Sequence, residues 1–249
     1  MELVLITALG VGSATVFGSV MGFLFKKISH KFSDIVLSFA AGVMLCAAVM
    51  GLIIPSLESG GNFSLLVTIA GIFAGALTLN VIDKVVPHLH RLAGADIESH
   101  QKTDLNRTLL FVTAIAIHNL PEGIAAGVSF GSGDTSHALI IAGGIALQNI
   151  PEGMIIISPM LLAGISPKRT FLIAAATGLI EVVGTFIGYF AVSVSAAILP
   201  FALAFAGGTM LYVVSDEMIP ETHHQESPLV TYALLAGFCL MLAGDVLLG

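Results

Sequence analysis

Long runs of apolar residues, separated by short polar connections, dominate this chain. A helix that crosses a bilayer needs about 20 mostly apolar residues, and the pattern predicts eight such spans. They lie at about 3–25, 35–57, 63–82, 108–130, 136–162, 170–195, 196–215 and 229–248. The pattern therefore predicts an all-α polytopic membrane protein. Residues 1–249 form a single transmembrane domain in this interpretation, and the longest connection, 83–107, is a cytoplasmic loop.

Composition supports a lipid-facing surface. Of the 249 residues, 56% are hydrophobic and only 10% are charged, and the mean hydropathy is +1.00. Soluble domains carry about 25% charged residues. So few charges cannot cover the surface of a water-soluble globule, and the outer surface must therefore face lipid.

The nine Lys and Arg residues divide the connections into two kinds. They lie in or beside the first, third and fifth connections, whereas the second, fourth and sixth connections contain none. An excess of Lys and Arg in short loops marks the cytoplasmic side. The distribution therefore predicts a multi-pass protein of the cell (inner) membrane with both termini extracytoplasmic, a topology that eight spans satisfy.

One six-residue pattern occurs twice, on the predicted fourth and fifth spans. Residues 118–123 read His-Asn-Leu-Pro-Glu-Gly, and residues 148–153 read Gln-Asn-Ile-Pro-Glu-Gly. Consecutive spans run antiparallel, so the two motifs can face each other across a two-fold axis in the membrane plane. Inverted pairs of this kind commonly frame the midplane site of a transporter.

Three carboxylates, Glu122, Glu152 and Glu181, lie well inside apolar spans. Each costs roughly 3 kcal/mol at the bilayer centre even on a lenient insertion scale. No Lys or Arg is predicted at that depth, so the compensating positive charge must come from protons or from a bound cation.

The spacing of the ligands favours a transition metal as that cation. His118 and Glu122 are four residues apart on one helix face, and Gln148 and Glu152 repeat this spacing. An imidazole nitrogen beside carboxylate and amide oxygens suits zinc better than calcium, which prefers oxygen alone. Two adjacent cations explain three carboxylates better than one does. The second, oxygen-rich site would consist of Asn119, Asn149, Glu152 and Glu181.

Other candidate residues are weaker. Met44 can lend a thioether to a soft ion, although a Met in an apolar span is more often a gap filler. Acidic and imidazole side chains near the predicted inner ends of the third and seventh spans can receive a departing ion. This predicted release route comprises Asp83, His88, His90, Asp216 and Glu217.

The paired motifs resemble the signature of the ZIP family of metal transporters, in its bacterial branch, and the resemblance covers essentially the whole chain. It implies uptake of zinc, and in some members iron, manganese or cadmium, into the cytoplasm. It also implies a two-metal site between spans four, five and six. The first metal would be held by His118, Glu122, Gln148 and Glu152 with Met44 nearby, and the second by the set given above. Family members often have His at position 148 and some have Asp at position 149, so the neutral amides Gln148 and Asn149 lower the ligand charge.

Our interpretation is an eight-helix bundle in a 3+2+3 arrangement that transports a divalent metal ion by alternating access and is not an enzyme. The transported substrate is Zn2+, with Cd2+, Fe2+ or Mn2+ as alternatives. The expected partners are metal ions and the lipid bilayer, with a homodimer as an open alternative and no nucleic acid.

Two other function classes stay open. An intramembrane metalloenzyme is disfavoured because the sequence lacks HExxH and its motifs offer no obvious nucleophile. A proton-coupled carrier or a metal sensor is disfavoured because a proton relay does not need four converging ligands.

Overall fold

The computed structural model describes residues 1–24, 29–59, 61–85, 105–222 and 227–248, and within 105–115 it describes the backbone alone. In this part of the chain every regular element is a helix. Eight long helices follow the order of the predicted spans: α1 (Glu2–Leu24), α2 (30–59), α3 (Ser64–Val85), α4 (Leu105–Ser129), α5 (Thr135–Leu162), α6 (Pro167–Val194), α7 (Leu199–Thr222) and α8 (Pro228–Leu248).

Seven of these helices are long and apolar enough, by length and composition, to cross a membrane. The remaining helix, α4, has 25 residues and contains most of the predicted fourth span. The prediction of an all-α, multi-pass membrane protein is therefore confirmed. The 3+2+3 arrangement and the extracytoplasmic placement of both termini stay predictions.

Local signals set several helix starts. The Asp134 side chain caps α5 by accepting the backbone N–H of His137 at 3.0 Å, and Ser29 caps α2 in the same way. Proline, whose missing N–H costs nothing in a first turn, occupies the start of α6 as Pro167 and the start of α8 as Pro228. These signals are local, so each span begins close to the position that the sequence predicts.

The seventh helix differs from the predicted span 196–215 at both ends. It begins at Leu199, after a short 3-10 turn, and continues beyond the predicted end to Thr222. Asp216 and Glu217, which were predicted to lie in a polar connection, are therefore part of α7. The helix can hold both because Asp216 is exposed while Glu217 is buried against an imidazole partner on α4.

Helices α2 and α7 each contain a π-helical segment, Ala47–Ile53 in α2 and Val214–Met218 in α7. Both segments end immediately before an Ile-Pro pair, at residues 54–55 and 219–220. In both, the Ile N–H donates to the carbonyl five residues earlier. The wider turn relieves the clash between each proline ring and the carbonyl four residues before it. The second π segment contains Glu217.

Close crossings hold the two motif helices in place. The most extensive contacts of α4 are with α6, and those of α5 are with α1. Gly123 of the first motif lies so close to the backbone carbonyl of Glu181 that a Cβ atom would collide with it. Gly153 of the second motif lies equally close to the carbonyl of Thr15 in α1. Small residues let membrane helices approach backbone to backbone, so these crossings bring Glu181 and Thr15 to the level of the motifs.

The side chains are distributed inversely to those of a water-soluble protein. Large apolar side chains are exposed on the outward faces, among them Leu65 and Phe73 of α3 and Leu179 of α6. The interior buries the carboxylates and amides of the motifs instead. A polar interior inside an apolar exterior is the arrangement that a surface solvated by lipid requires.

Candidate metal-binding site

The two motifs meet in the interior of the bundle. Each motif proline lies inside its helix, Pro121 in α4 and Pro151 in α5, and both helices continue through it. His118 is partly buried, and the other motif side chains that can ligate an ion are buried. These buried side chains are Asn119, Glu122, Gln148, Asn149 and Glu152.

One hydrogen bond joins the two motifs directly. The Gln148 amide nitrogen Nε2 donates to Glu122 Oε1 at 2.8 Å. This bond orients both side chains, and it leaves the other oxygen of each side chain, Glu122 Oε2 and Gln148 Oε1, free for a further partner. The pairing therefore places one carboxylate oxygen and one amide oxygen from different helices at the same level.

Glu181 of α6 is surrounded by neutral hydrogen-bond donors. Asn119 Nδ2 donates to Glu181 Oε1 at 2.7 Å, and the Thr15 hydroxyl donates to the same oxygen at 2.5 Å. Asn149 Nδ2 donates to Glu181 Oε2 and also to the Val11 carbonyl at 3.3 Å. The two motif asparagines thus make the same contact from opposite helices, and both hold Glu181 in place.

Four buried oxygens at this site have no hydrogen-bond partner in the described part of the chain: Asn119 Oδ1, Glu122 Oε2, Gln148 Oε1 and Asn149 Oδ1. A buried polar atom without a partner costs about 1–3 kcal/mol, and more when it is charged. All four atoms are acceptors, and both motifs contribute two of them. Oxygens of this kind are ligands that a cation can satisfy.

The carboxylates add concentrated negative charge to these oxygens. Glu152 and Glu181 are both close enough to Glu122 for their charges to repel. The sequence has no Lys or Arg between residues 108 and 167, so neither motif helix carries a basic residue at this depth. The site therefore has the electrostatic character of a cation-binding site.

His118 contacts an acidic residue of another helix. Its Nε2 lies 2.7 Å from Glu217 Oε2 in the π segment of α7, and both side chains are largely buried. The structure therefore brings a predicted release-route residue directly against the first motif. Asp216, the neighbouring residue, is exposed.

The remaining predicted residues are distributed as follows. Met44 is fully buried in the apolar core of α2. Asp83 lies in the last turn of α3, and its side chain is not described. His88 and His90 lie outside the described residues.

With the side chains placed as they are here, a metal site needs amide oxygens. Across the described residues, no three side chains of His, Cys, Asp and Glu lie close enough together to hold an ion. A coordination shell must therefore combine carboxylates with the oxygens of Gln148 and the two asparagines. A shell of oxygens with one imidazole suits a borderline divalent ion.

Thr15 contacts Glu181 through its hydroxyl, but nothing in the sequence marks it as a site residue. A threonine in an apolar span carries no signal of its own, and α1 contains no other polar motif. Only the close crossing of α1 over α5 and α6 brings this hydroxyl to the site.

Comparison with known proteins identifies the family. The model of the ZIP Zinc transporter family matches residues 90–244. The zinc transporter GufA of Myxococcus xanthus is 38% identical, over 98% of this chain and 98% of its own length. The chain belongs to the ZIP family. Two further ZIP relatives are the zinc transporter ZIPB of Bordetella bronchiseptica, 37% identical over 95% of this chain and 78% of its own length, and human zinc transporter ZIP11, 30% identical over 94% of each chain.

Membership of the ZIP family decides between a transporter and an intramembrane metalloenzyme. The relatives named above are transporters and not enzymes. This ZIP protein is therefore a transporter, and the intramembrane metalloenzyme is excluded.

Proposed function

We propose that this protein carries zinc across the cell membrane into the cytoplasm through a two-metal site between α4, α5 and α6. The main support is the set of four buried oxygens without partners beside three buried carboxylates. Two of these oxygens belong to the hydrogen-bonded pair Glu122 and Gln148, and two belong to the asparagines that donate to Glu181. The grouping favours two ions over one.

The first ion would bind where the motifs are joined. Glu122 Oε2 and Gln148 Oε1 are available there, and Glu152 supplies a second carboxylate from α5. His118 would complete this shell by exchanging its contact with Glu217 for the metal. Met44 would lend a thioether if a soft ion such as Cd2+ were bound.

The second ion would bind between the asparagines. Asn119 and Asn149 direct their amide nitrogens at Glu181, so their carbonyl oxygens face away from it and are available to a cation. Glu152 and Glu181 would supply the negative charge. This shell has oxygen donors only, and it would bind hard ions such as Mn2+ relatively better than the first site does.

Zinc is the favoured substrate because the first shell combines an imidazole with carboxylates. The relatives of this chain are named zinc transporters. Iron, manganese and cadmium are further substrates to test, since the affinity of one site for several divalent ions does not by itself select among them.

Alternating access would move one group of helices against another. Extensive contacts link α1 with α5 and α6, and α4 with α6, whereas α2 packs mainly on α8 and α3 on α7. In this interpretation α1, α4, α5 and α6 carry the ion past the other four helices. The uptake direction is the one that the resemblance to ZIP transporters implies, and the predicted topology places the release route at the cytoplasmic end.

Release would begin at Glu217. This carboxylate lies on α7, one of the other four helices, and contacts His118 of the first motif on α4. An ion that leaves His118 would meet Glu217 and the exposed Asp216 next, before Asp83, His88 and His90. A homodimer and the inner-membrane location stay predictions.

The experiment that tests this proposal is uptake of radioactive zinc into proteoliposomes. Glu122→Gln and Glu152→Gln keep side-chain size while they remove a charged ligand, and each should lower kcat/KM by more than about 100-fold. The matched control is Glu58→Gln, which neutralises an exposed carboxylate at the end of α2. It should change uptake by less than about twofold.

Two results would contradict the proposal. Folded natural protein that moves none of the four metals would favour a proton-coupled carrier or a metal sensor. Full zinc uptake by both glutamine variants would place the ion pathway elsewhere.

A further inference from the structure

A second pair of candidate ligands meets at one end of the bundle, far from the motifs. His137 lies in the first turn of α5, and Asp245 lies near the end of α8. The structure brings His137 Nε2 to 3.7 Å from Asp245 Oδ1, with side chains only 18% and 16% exposed. More than 100 residues separate the two in sequence, so only the tertiary structure pairs them.

The separation of these atoms fits a shared ion better than a direct contact. A hydrogen bond between nitrogen and oxygen spans about 2.7–3.2 Å, and 3.7 Å exceeds that range. Two zinc ligands, each about 2.0–2.2 Å from the metal, lie about 3.3–3.6 Å apart at tetrahedral angles. Asp245 Oδ1 is also buried without a hydrogen-bond partner in the described part of the chain.

The charge at this end of the bundle favours a cation. The end is marked by contacts between the start of α5 and the end of α8, and by Ser56 of α2, which bonds to Thr68 of α3 and to the Pro200 carbonyl of α7. No Lys or Arg occurs in the sequence between residues 32 and 83, between 108 and 167 or after 169. The described residues Lys31, Lys84, Lys168 and Arg169 lie towards the opposite end, so among the described residues no Lys or Arg repels a cation here.

We propose that His137 and Asp245 form a capture site that binds a divalent transition metal ion before it enters the central site. Gln148 lies eleven residues further along α5, which is about 16 Å in an α-helix. One helix thus carries ligands of both sites. Two protein ligands, with water in the remaining positions, would hold the ion weakly enough to pass it on. The identity of the captured ion rests on the proposed function, whereas the binding itself does not.

The competing explanation is a mechanical one. The pair joins α5 to α8, which belong to different helix groups in the alternating-access proposal, so it could be a latch that only holds the groups together. A latch would be a simple ion pair, which a distance of 3.7 Å allows, but it would leave Asp245 Oδ1 without the hydrogen bond that a buried carboxylate oxygen normally has. The two explanations predict different kinetics.

Binding is measured first, on the purified full-length protein. Equilibrium dialysis against a series of Cd2+ concentrations, with metal counted by mass spectrometry, gives the number of bound ions. His137→Ala and Asp245→Asn should each lose the same weakly bound ion, and the double variant should lose no more than either single variant. Glu58→Gln removes a charge from the same end of the bundle without touching the pair, and it should keep that ion.

Uptake kinetics then distinguish capture from latching. Loss of either ligand should raise KM for zinc about 10–100-fold, the range found when metal-site support is lost, while kcat stays within about twofold. Size-exclusion profiles and thermal unfolding confirm that each variant is folded.

Two outcomes would overturn the capture site. One is an unchanged number of bound Cd2+ ions in both variants, and the other is a fall in kcat at constant KM, which identifies a latch. If the natural protein moved no zinc but the variants still lost one Cd2+ ion, the capture site would stand and the proposed function would fall.

Discussion

The two motifs share a sequence pattern, but the structure uses only part of it symmetrically. Asn119 and Asn149 make equivalent contacts, because each donates its amide to Glu181. The first residues of the motifs differ in their contacts as well as their identity. His118 turns towards Glu217 of α7, whereas Gln148 donates to Glu122 of the opposite motif.

This difference indicates that some motif residues hold the structure together while others select the ion. The asparagines and glycines build a symmetric frame that holds Glu181 and the helix crossings. The first motif position is His in one motif and Gln in the other. The His contacts α7, whereas the Gln bonds to the opposite motif. The frame should therefore determine stability, and the variable position should determine which ion is bound and how it leaves.

The largest expected effect comes from breaking the shared frame. Gly123→Ala and Gly153→Ala each place a methyl group against a backbone carbonyl of the neighbouring helix. Overpacking of this kind should destabilise the fold by about 1–3 kcal/mol or more. Thermal unfolding in detergent, followed by circular dichroism, measures the loss.

The chain offers a matched control for that prediction. Gly143 of α5 is exposed, and a Cβ added there meets nothing. Gly143→Ala should be neutral, or more stable by up to about 1 kcal/mol because alanine is the better helix former. Equal losses at all three positions would show that the crossings are not as close as the structure has them.

The next effect comes from giving both motifs the same first residue. His118→Gln removes the imidazole and the contact with Glu217, so zinc uptake should fall about 10–100-fold in kcat/KM. Preference should shift towards Mn2+, which favours oxygen ligands. Competition between the two ions in proteoliposome uptake measures the shift.

The reverse exchange sharpens the same comparison. Gln148→His adds a nitrogen ligand while it removes the donor to Glu122, and it should raise the preference for zinc over Mn2+. If both exchanges shift the preference in the same direction, the variable position does not decide selectivity.

The smallest expected effect concerns the support of Glu181. Thr15→Val removes one of three donors to this carboxylate, and the Asn119 and Asn149 donors remain, so the loss should be about 0.5–1.5 kcal/mol, the net contribution of one ordinary hydrogen bond. Calorimetric zinc titration should show weaker binding to one of the two sites. Thr15→Ser keeps the hydroxyl, and equal binding losses in both variants would indicate a packing role instead.

Much of the helical framework and of the candidate site is predictable from the sequence. The apolar runs predicted every long helix, and the motifs singled out buried residues such as Glu122 and Asn149. Helix α7 continues to Thr222, beyond the predicted span 196–215, although Asp216 and Glu217 look like a polar turn in the sequence. Their burial and exposure depend on which face of α7 meets α4, and no local pattern contains that information.

The sequence by itself determined the long apolar helices, the confinement of Lys and Arg to alternate connections, and the residues with metal-binding chemistry. These features depend on composition and on local spacing, because lipid demands apolar helices and because ligands repeat at helical intervals. Only the tertiary structure decided which side chains are partners. The contacts of Thr15 with Glu181, of His118 with Glu217 and of His137 with Asp245 all join distant helices, and helix crossings alone bring such residues together.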